Sequence, residues 1–225
     1  MKFKFVRFLV RAIMKLIARI EVRGAENIPE GNYILATNHL GRLDTALLLY
    51  LFDRDDFILP VAEKYKNHIL FGAIGRAVNA VWLNRFETDF HALREMLNRM
   101  KKGGLLVIAP EGTRSKTGTL QPGKQGVAYL AAKSGYPILP VALTGTEDRS
   151  VVQQLKRFRR IHIVGFAGKL MHLEMPQGKN RDKVLQEQTD EIMCQIAALL
   201  PDSYRGVYSE HPRLQEILEE TADHA

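Results

Sequence analysis

Short apolar segments alternate with helix-forming segments between residues 32 and 200, and this alternation restricts the possible folds more than any other feature. We predict strands over residues 32–37, 57–62, 79–83, 104–108, 138–144 and 161–167. We predict helices over residues 44–53, 66–76, 87–102, 123–134 and 181–200. Such alternation is typical of a mostly parallel or mixed sheet flanked by helices on both faces. The chain of 225 residues contains no repeat or long linker, so we predict a single α/β domain.

The N-terminal segment, residues 1–23, carries most of the charge imbalance. It holds seven basic residues and one acidic residue, against a net charge of +7 for the whole chain. Its last five basic residues follow one another at intervals of four: Arg7, Arg11, Lys15, Arg19 and Arg23. We predict a basic amphipathic helix over residues 1–23 that lies on a membrane surface with anionic lipids, too interrupted by charge to cross it. The alternative is a helix packed on the domain with a solvated basic side.

The rest of the chain is divided into an α/β domain over residues 24–205, with its sheet beginning near Tyr33, and a peripheral tail over residues 206–225. Its charges are nearly balanced, so we predict no nucleic-acid surface. A second basic cluster, residues 156–160, is either solvated surface or a contact for anionic headgroups or an acidic acyl carrier. The single cysteine, Cys194, excludes an internal disulfide and is predicted to be a core thiol in a reducing compartment.

His39 and Asp44 mark the point at which a predicted strand ends and a predicted helix begins. Five residues on a regular helix separate two side chains by about 140°, so this pair can meet only across an irregular turn. Gly41 permits such a turn. An imidazole that a carboxylate orients is a general base, because its ordinary pKa lies near neutrality.

Four segments in order resemble the motifs of the glycerolipid acyltransferases, the family of 1-acylglycerol-3-phosphate O-acyltransferases. The first is the Asn-His-x-x-x-x-Asp pattern of residues 38–44. The others are Val-Trp-Leu-Asn-Arg at 81–85, Ala-Pro-Glu-Gly-Thr-Arg-Ser at 109–115, and the apolar run with Pro140 at 138–143. The main departure is Ala109, which stands where the family usually has an aromatic residue.

The resemblance implies a reaction and a set of site residues. His39 and Asp44 would be catalytic, and the acceptor would be bound by Arg85, Glu111, Gly112, Thr113 and Arg114. A fatty acyl group would pass directly from acyl-CoA or acyl carrier protein to the free hydroxyl of lysophosphatidic acid. We expect no cofactor and no metal, and a peripheral location on the cytoplasmic face of the membrane.

Other functions fit parts of the sequence. The same dyad could serve an acyltransferase for another lysolipid or a lipid-linked acceptor, and the same pocket could belong to a non-catalytic peripheral lipid-binding protein. Residues 118–124 match the G-x-x-x-x-G-K core of a phosphate loop. However, Gln125 stands where such loops have Ser or Thr, and Pro122 lacks a backbone N–H, so we do not predict nucleotide hydrolysis.

Overall fold

The computed structural model describes residues 2–84 and 89–222, which form eight helices and eight strands together with short 3₁₀ turns. The helices are α1 (Lys2–Ile17), α2 (Leu43–Leu51), α3 (Ile69–Ala77), α4 (Phe90–Lys101), α5 (Gly126–Ser134), α6 (Asp148–Lys156), α7 (Arg181–Ala198) and α8 (Pro212–Ala222). The strands are β1 (Ala18–Arg23), β2 (Ile34–Thr37), β3 (Phe57–Ile58), β4 (Pro60–Ala62), β5 (Val81–Leu83), β6 (Leu105–Ile108), β7 (Ile138–Thr144) and β8 (Ile161–Ala167).

Six strands form one mixed sheet in the order β1-β8-β7-β2-β6-β3, and β4 pairs with β5 in a separate parallel ladder. Strands β7, β2, β6 and β3 are parallel, so their C-terminal ends lie at one edge, which we call the carboxyl edge. Strand β8 runs antiparallel to β7, and β1 runs parallel to β8. The N-terminal ends of β1 and β8 therefore lie at the carboxyl edge too.

Apolar side chains cover both faces of the sheet, because successive residues of a strand point to opposite sides. Ile34 and Ala36 of β2 belong to a core cluster with α4, α5, α7 and α8. Tyr33 and Leu35 belong to a cluster with α2. An adjoining cluster on the α2 side contains Met14 of α1 and Val151 of α6. The predicted α/β architecture with helices on both faces is confirmed.

The N-terminal region differs from the prediction in its secondary structure. The helix predicted over residues 1–23 ends at Ile17, and Ala18–Arg23 forms the edge strand β1 of the main sheet. The sheet thus begins well before Tyr33. The segment Ala-Arg-Ile-Glu-Val-Arg alternates apolar and polar residues as a strand does, while its arginines also continue the four-residue spacing of the helix. The segment forms a strand instead of continuing the helix because it pairs with β8.

Helix α1 packs on the domain with part of its basic stripe turned inward. Arg7 forms ion pairs with Asp53 and Asp55, and Arg11 donates hydrogen bonds to the Tyr50 and Phe52 carbonyls. The opposite face of the helix exposes large apolar side chains: Phe5, Phe8, Leu9, Ile13 and Leu16. In the described part of the chain, no helix is long and apolar enough to span a bilayer.

The C-terminal segment packs closely on α7. Leu214 and Ile217 of α8 and Tyr208 before it are buried in the main core cluster. Arg213 pairs with Glu191 of α7 at 2.6 Å. Residues 206–222 thus contribute to the core as well as to the surface.

Candidate active site

The loop from β2 to α2 holds the histidine and the aspartate in direct contact. His39 Nδ1 lies 2.6 Å from Asp44 Oδ2, and the same oxygen accepts hydrogen bonds from the backbone N–H groups of Leu40 and Gly41. Asp44 is 3% exposed, whereas the His39 side chain reaches the surface. An ionised Asp44 accepts from Nδ1–H, so the lone pair of the imidazole lies on Nε2. This is the geometry of an oriented general base.

Contacts to the end of β7 fix this loop. The Asn38 amide donates to the Leu143 carbonyl at 2.9 Å and accepts from the Leu143 N–H at 2.7 Å. Gly41 lies so close to the Thr146 carbonyl that an added Cβ would be 1.9 Å from that oxygen. Only glycine fits there, and the close approach lets the loop bring His39 back toward Asp44.

Glu111 lies beneath the dyad and is 2% exposed. Its Oε1 accepts from the His39 N–H at 2.9 Å, and its Oε2 accepts from the Gln121 N–H at 3.1 Å. Burial raises the pKa of this carboxyl to about 7, with a further contribution from the charge of Asp44, although the two backbone hydrogen bonds oppose the rise. The side chain therefore connects the loop after β6 to the backbone of the histidine.

A cleft of about 870 Å³ opens at Leu40, next to His39 in the chain. Among the residues that the structure describes, five basic ones line it, against two acidic ones: Arg42, Lys64, Arg114, Lys116 and Arg149, with Glu147 and Asp148. Asp148 Oδ2 accepts from Arg114 at 2.7 Å and from Arg42 at 2.8 Å. The second terminal nitrogen of Arg114 lies 3.4 Å from the Tyr65 hydroxyl. A planar guanidinium at this place suits a phosphate or carboxylate ligand.

Comparison with known proteins gives a match to one family. A sequence model of the family described as "Acyltransferase" matches residues 19–144. This chain belongs to the acyltransferase family. The resemblance that the four motifs indicated is thereby confirmed.

Two relatives of this acyltransferase are both named 1-acyl-sn-glycerol-3-phosphate acyltransferase. It is 33% identical to the chloroplastic 1-acyl-sn-glycerol-3-phosphate acyltransferase BAT2 of Brassica napus, over 57% of this chain and 38% of the relative. It is 29% identical to the 1-acyl-sn-glycerol-3-phosphate acyltransferase of Pseudomonas aeruginosa, over 62% of this chain and 54% of the relative. The matched part spans less than two thirds of each of these proteins.

A solved structure with the same fold is that of the 1-acyl-sn-glycerophosphate (LPA) acyltransferase PlsC from Thermotoga maritima. The TM-score is 0.58 at 25% sequence identity, and the alignment covers 84% of this chain and 80% of the other. The likeness therefore extends over most of both chains.

The residues of this acyltransferase that are predicted to bind substrate differ in their location relative to the cleft. Arg114 and Thr113 line the cleft. Gly112 has a φ of +69°, and an added Cβ there would meet the Lys124 side chain at 3.0 Å. Glu111 is turned inward to the His39 backbone. Arg85 lies outside the described residues.

Several residues that shape the site have no role that the sequence predicts. Asn38 lies in the first motif, and its place directly before His39 is the only sequence signal of its contacts. Asp148, which holds Arg114 and Arg42, lies over 30 residues from the nearest motif segment that it contacts. Ser115 donates its N–H to the His39 carbonyl at 2.8 Å, which joins the third motif to the first.

The phosphate-loop pattern has no free backbone donors where a phosphate would need them. The N–H groups of Gly118 and Thr119 donate to the Ser115 hydroxyl. The remaining N–H groups of the loop are paired as well: Leu120 with the Tyr204 carbonyl, Gln121 with Glu111, Gly123 with the Tyr208 hydroxyl and Lys124 with the Pro110 carbonyl. Pro122 has no N–H to offer.

Cys194 is confirmed as a core thiol. It is fully buried, and burial raises its pKa to about 12, with a further contribution from Glu191 and Asp190. A thiol in this state does not act as a nucleophile near neutral pH. Among the described residues, no three His, Cys, Asp or Glu side chains form a group that could hold a metal ion.

Proposed function

We propose that this protein is a membrane-associated acyltransferase that moves a fatty acyl group from a thioester donor to the free hydroxyl of lysophosphatidic acid. The observation that carries the proposal is the 2.6 Å contact between His39 and Asp44, next to a cleft rich in basic side chains that Leu40 lines. The names of the relatives support the same substrate class.

The reaction is a direct transfer. His39 Nε2 takes the proton of the acceptor hydroxyl as its oxygen attacks the thioester carbonyl. Asp44 keeps the imidazole in the required tautomer and stabilises the imidazolium that forms. The tetrahedral intermediate then collapses, the C–S bond breaks, and the imidazolium returns the proton to the leaving thiolate. The products are an ester and a free thiol, with no nucleophile needed from the protein.

The acceptor phosphate would bind in the cleft. Arg114 presents its guanidinium there, with Lys64 and Lys116 among the other cations lining the same space. In the structure Asp148 accepts hydrogen bonds from one guanidinium nitrogen of Arg114 and one guanidinium nitrogen of Arg42. A phosphate monoester carries more charge than one carboxylate, so it can take the place of this ion pair or share it. Arg85 remains a predicted member of this site.

The acceptor and product are lipids, and α1 offers a surface to the bilayer that contains them. Its inner face packs through Met14 and Arg7, while Phe8 and Leu16 are 67% and 77% exposed. A helix with such a face lies in the interfacial region of a membrane. We propose a peripheral association of this kind, with acyl-CoA or acyl carrier protein as donor and without a cofactor or metal.

Two other functions use the same residues. An acyltransferase for a different lysolipid or lipid-linked acceptor would keep the dyad and change the cleft. A non-catalytic lipid-binding protein would keep the cleft and have no use for the dyad. The burial of Asp44 with three donors on one oxygen favours catalysis, because such an arrangement serves to orient an imidazole.

The deciding experiment is lipid mass spectrometry of the purified protein with a panel of lysolipids and acyl thioesters. We expect phosphatidic acid from lysophosphatidic acid, and less product from acceptors without a phosphate. His39→Ala should lower the rate by about 10²–10⁴ with the fold intact, which is the usual share of a general base. His91→Ala, at an exposed position of α4, is the matched control and should keep wild-type activity.

Failure of this proposal would take one of two forms. Product from every lysolipid at equal rates would remove the phosphate specificity. Binding of lipid without any product would indicate the non-catalytic function. Retention of more than about a tenth of the activity by His39→Ala would exclude His39 as the base.

A further inference from the structure

The outer surface of α6 and the turn that follows it carry exposed apolar and basic side chains together. Val152, Leu155 and Phe158 are exposed, and Phe158 is 100% so. Lys156, Arg157, Arg159 and Arg160 flank it and are exposed as well. No acidic residue occurs between Asp148 and Glu174 in the sequence. We call residues 152–160 the α6 surface.

Phe158 adopts a conformation that is uncommon for a bulky residue. Its φ is +54°, in the left-handed region. The Phe158 N–H donates to the Leu155 carbonyl and the Arg159 N–H donates to the Gln154 carbonyl, which is the Schellman pattern at a helix C-terminus. Glycine usually occupies this position because it has no Cβ. Here a phenylalanine occupies it, and the turn directs that side chain wholly into solvent.

Two costs thus fall on one residue, the left-handed backbone and the full exposure of an aromatic ring. Within the described structure the two hydrogen bonds stabilise the turn, but nothing covers the ring. Burial of the ring in an apolar environment outside the protein would offset both costs. The basic residues around the ring indicate that this environment is negatively charged, because they attract a negatively charged partner.

The α6 surface lies beside the helix that we propose to bind the membrane. Ile161, the residue after this surface, pairs with Ala18, the residue after α1. Arg160 donates hydrogen bonds to the carbonyls of Lys15 and Ala18, the former at 2.7 Å. The inner sides of both helices also share one core cluster, through Met14 and Val151.

The α6 surface and the C-terminal end of α1 lie at the carboxyl edge of the sheet, where His39 and Asp44 also lie. Helix α6 connects the two regions directly. It begins at Asp148, which binds Arg114 and Arg42 in the cleft, and it ends at Lys156 in the α6 surface. A bilayer in contact with the α6 surface would therefore lie close to the cleft.

We infer that the α6 surface is a second membrane-docking element, which binds anionic bilayers through Phe158 and its neighbouring cations. The inference deepens the proposed membrane association and rests on that part of the proposed function. Phe158 inserts among the lipid chains, while Lys156, Arg157 and Arg159 contact the headgroups. Arg160 is bound to α1 and holds the two elements together.

Vesicle flotation tests the inference with two variants of the full chain. Phe158→Gly removes the ring and suits the left-handed turn, so its thermal stability should equal or exceed that of the wild type. Its partition onto vesicles with 25% phosphatidylglycerol should fall about tenfold. For a triple variant with Lys156, Arg157 and Arg159 changed to Gln, the partition onto these vesicles should fall about 100-fold at low salt. This is the usual combined contribution of three basic residues near an anionic surface.

The matched control changes Lys101, Lys102 and Lys133 to Gln. These residues are exposed and lie near the starts of β6 and β7, at the opposite edge of the sheet. Their substitution removes the same charge as the α6 triple variant does. This control should bind vesicles nearly as the wild type does. Equal losses in the control and in the α6 triple variant would mean that net charge alone governs binding, and would overturn the inference.

Assays without vesicles distinguish a membrane from other binding partners of the α6 surface. All three variants should transfer acyl groups to a short-chain, water-soluble lysophosphatidic acid at the wild-type rate. If the α6 variants bind vesicles normally but have a higher KM for an acyl carrier protein thioester, the surface docks the carrier and the inference is wrong. Wild-type protein that floats but transfers no acyl group would refute the proposed reaction and leave the docking result standing.

Discussion

At the scale of single residues, the site depends on contacts between segments far apart in the chain. His39 is held by Asp44 five residues away, but its backbone is bonded to Glu111 and Ser115, which are over 70 residues away. The dyad could be predicted from sequence, because a glycine between the two residues permits the necessary turn. The position of Glu111 could not, because nothing local distinguishes a carboxylate that faces a substrate from one that faces a backbone amide.

The position of Arg114 leads to a prediction on acceptor choice. Arg114→Lys keeps the charge but loses the second nitrogen of the planar fork, and with it the contact to Tyr65. We expect kcat/KM for lysophosphatidic acid to fall about tenfold to 100-fold, and kcat/KM for the acyl thioester to change less. Lys133→Arg, a charge-conserving change on the surface of α5, serves as the control. Equal losses for acceptors with and without a phosphate would assign Arg114 to the fold instead.

The burial of Glu111 leads to a prediction on stability and pH. Because its pKa is raised from 4.5 to about 7, the folded state holds this proton more tightly than the unfolded state. The stability from this group is therefore present below pH 4.5 and is lost as the pH rises through 7, by about 3 kcal/mol at most. Glu111→Gln removes that titration.

Urea unfolding of the wild type and of Glu111→Gln between pH 5 and pH 8 measures the effect. The stability difference, wild type minus variant, should decrease as the pH rises, whatever its starting value. The decrease should end above about pH 7.5, where the wild-type carboxyl is ionised in both states. Two parallel curves would mean that Glu111 has an ordinary pKa despite its burial.

At the scale of secondary-structure elements, strongly patterned segments were predicted well. Strands β7 and β8 have the predicted bounds, and α2 differs by one or two residues at each end. Two elements were missed. Strand β1 carries a helical charge spacing and becomes a strand only through β8. Helix α6 is nine residues long and has only three apolar residues, of which Val152 and Leu155 are exposed, so its apolar pattern is too short to predict a helix.

The structure of α1 changes how its role should be tested. Deletion of residues 1–22 would remove most of β1 along with the helix, and would damage the sheet. Changing Phe5, Phe8 and Leu16 to Ser alters only the exposed face. We expect vesicle binding to fall at least tenfold while the free energy of unfolding changes by about 0.5 kcal/mol or less per site.

Met14→Ala provides the contrast on the inner face of the same helix. Met14 is buried, so its truncation should cost about 2–5 kcal/mol of stability. Vesicle binding by the fraction that remains folded should be unchanged. If the triple Ser variant loses stability and keeps its vesicle binding, α1 is a packing element whose apolar face is covered by the protein itself.

At the scale of the whole molecule, the mixed sheet brings the dyad, the α6 surface and the C-terminal end of α1 to one edge. This arrangement follows from the reversed direction of β1 and β8, which brings their starts to the ends of β2, β6 and β7. The sequence predicted the strands but not their directions, because the direction of β8 depends on its pairing with β7 and that of β1 on its pairing with β8, far away in the chain. A parallel β8 would have placed the α6 surface at the opposite edge from the dyad.

This arrangement predicts that salt lowers the turnover of a membrane-bound acceptor more than the turnover of a soluble one. Raising the ionic strength from 0.05 M to 0.5 M shortens the Debye length from about 14 Å to about 4 Å, which weakens attraction to anionic vesicles. Turnover of a long-chain acceptor in vesicles with 25% phosphatidylglycerol should therefore fall steeply, by about tenfold or more. Turnover of a short-chain, soluble acceptor should fall much less, because the proposed contact of its phosphate with Arg114 lies inside the cleft. Steady-state rates on the two substrates at matched salt provide the measurement, with neutral vesicles as the control. An equal fall for both substrates would mean that salt acts on the cleft, and that the membrane contributes nothing to the rate beyond supplying the lipid.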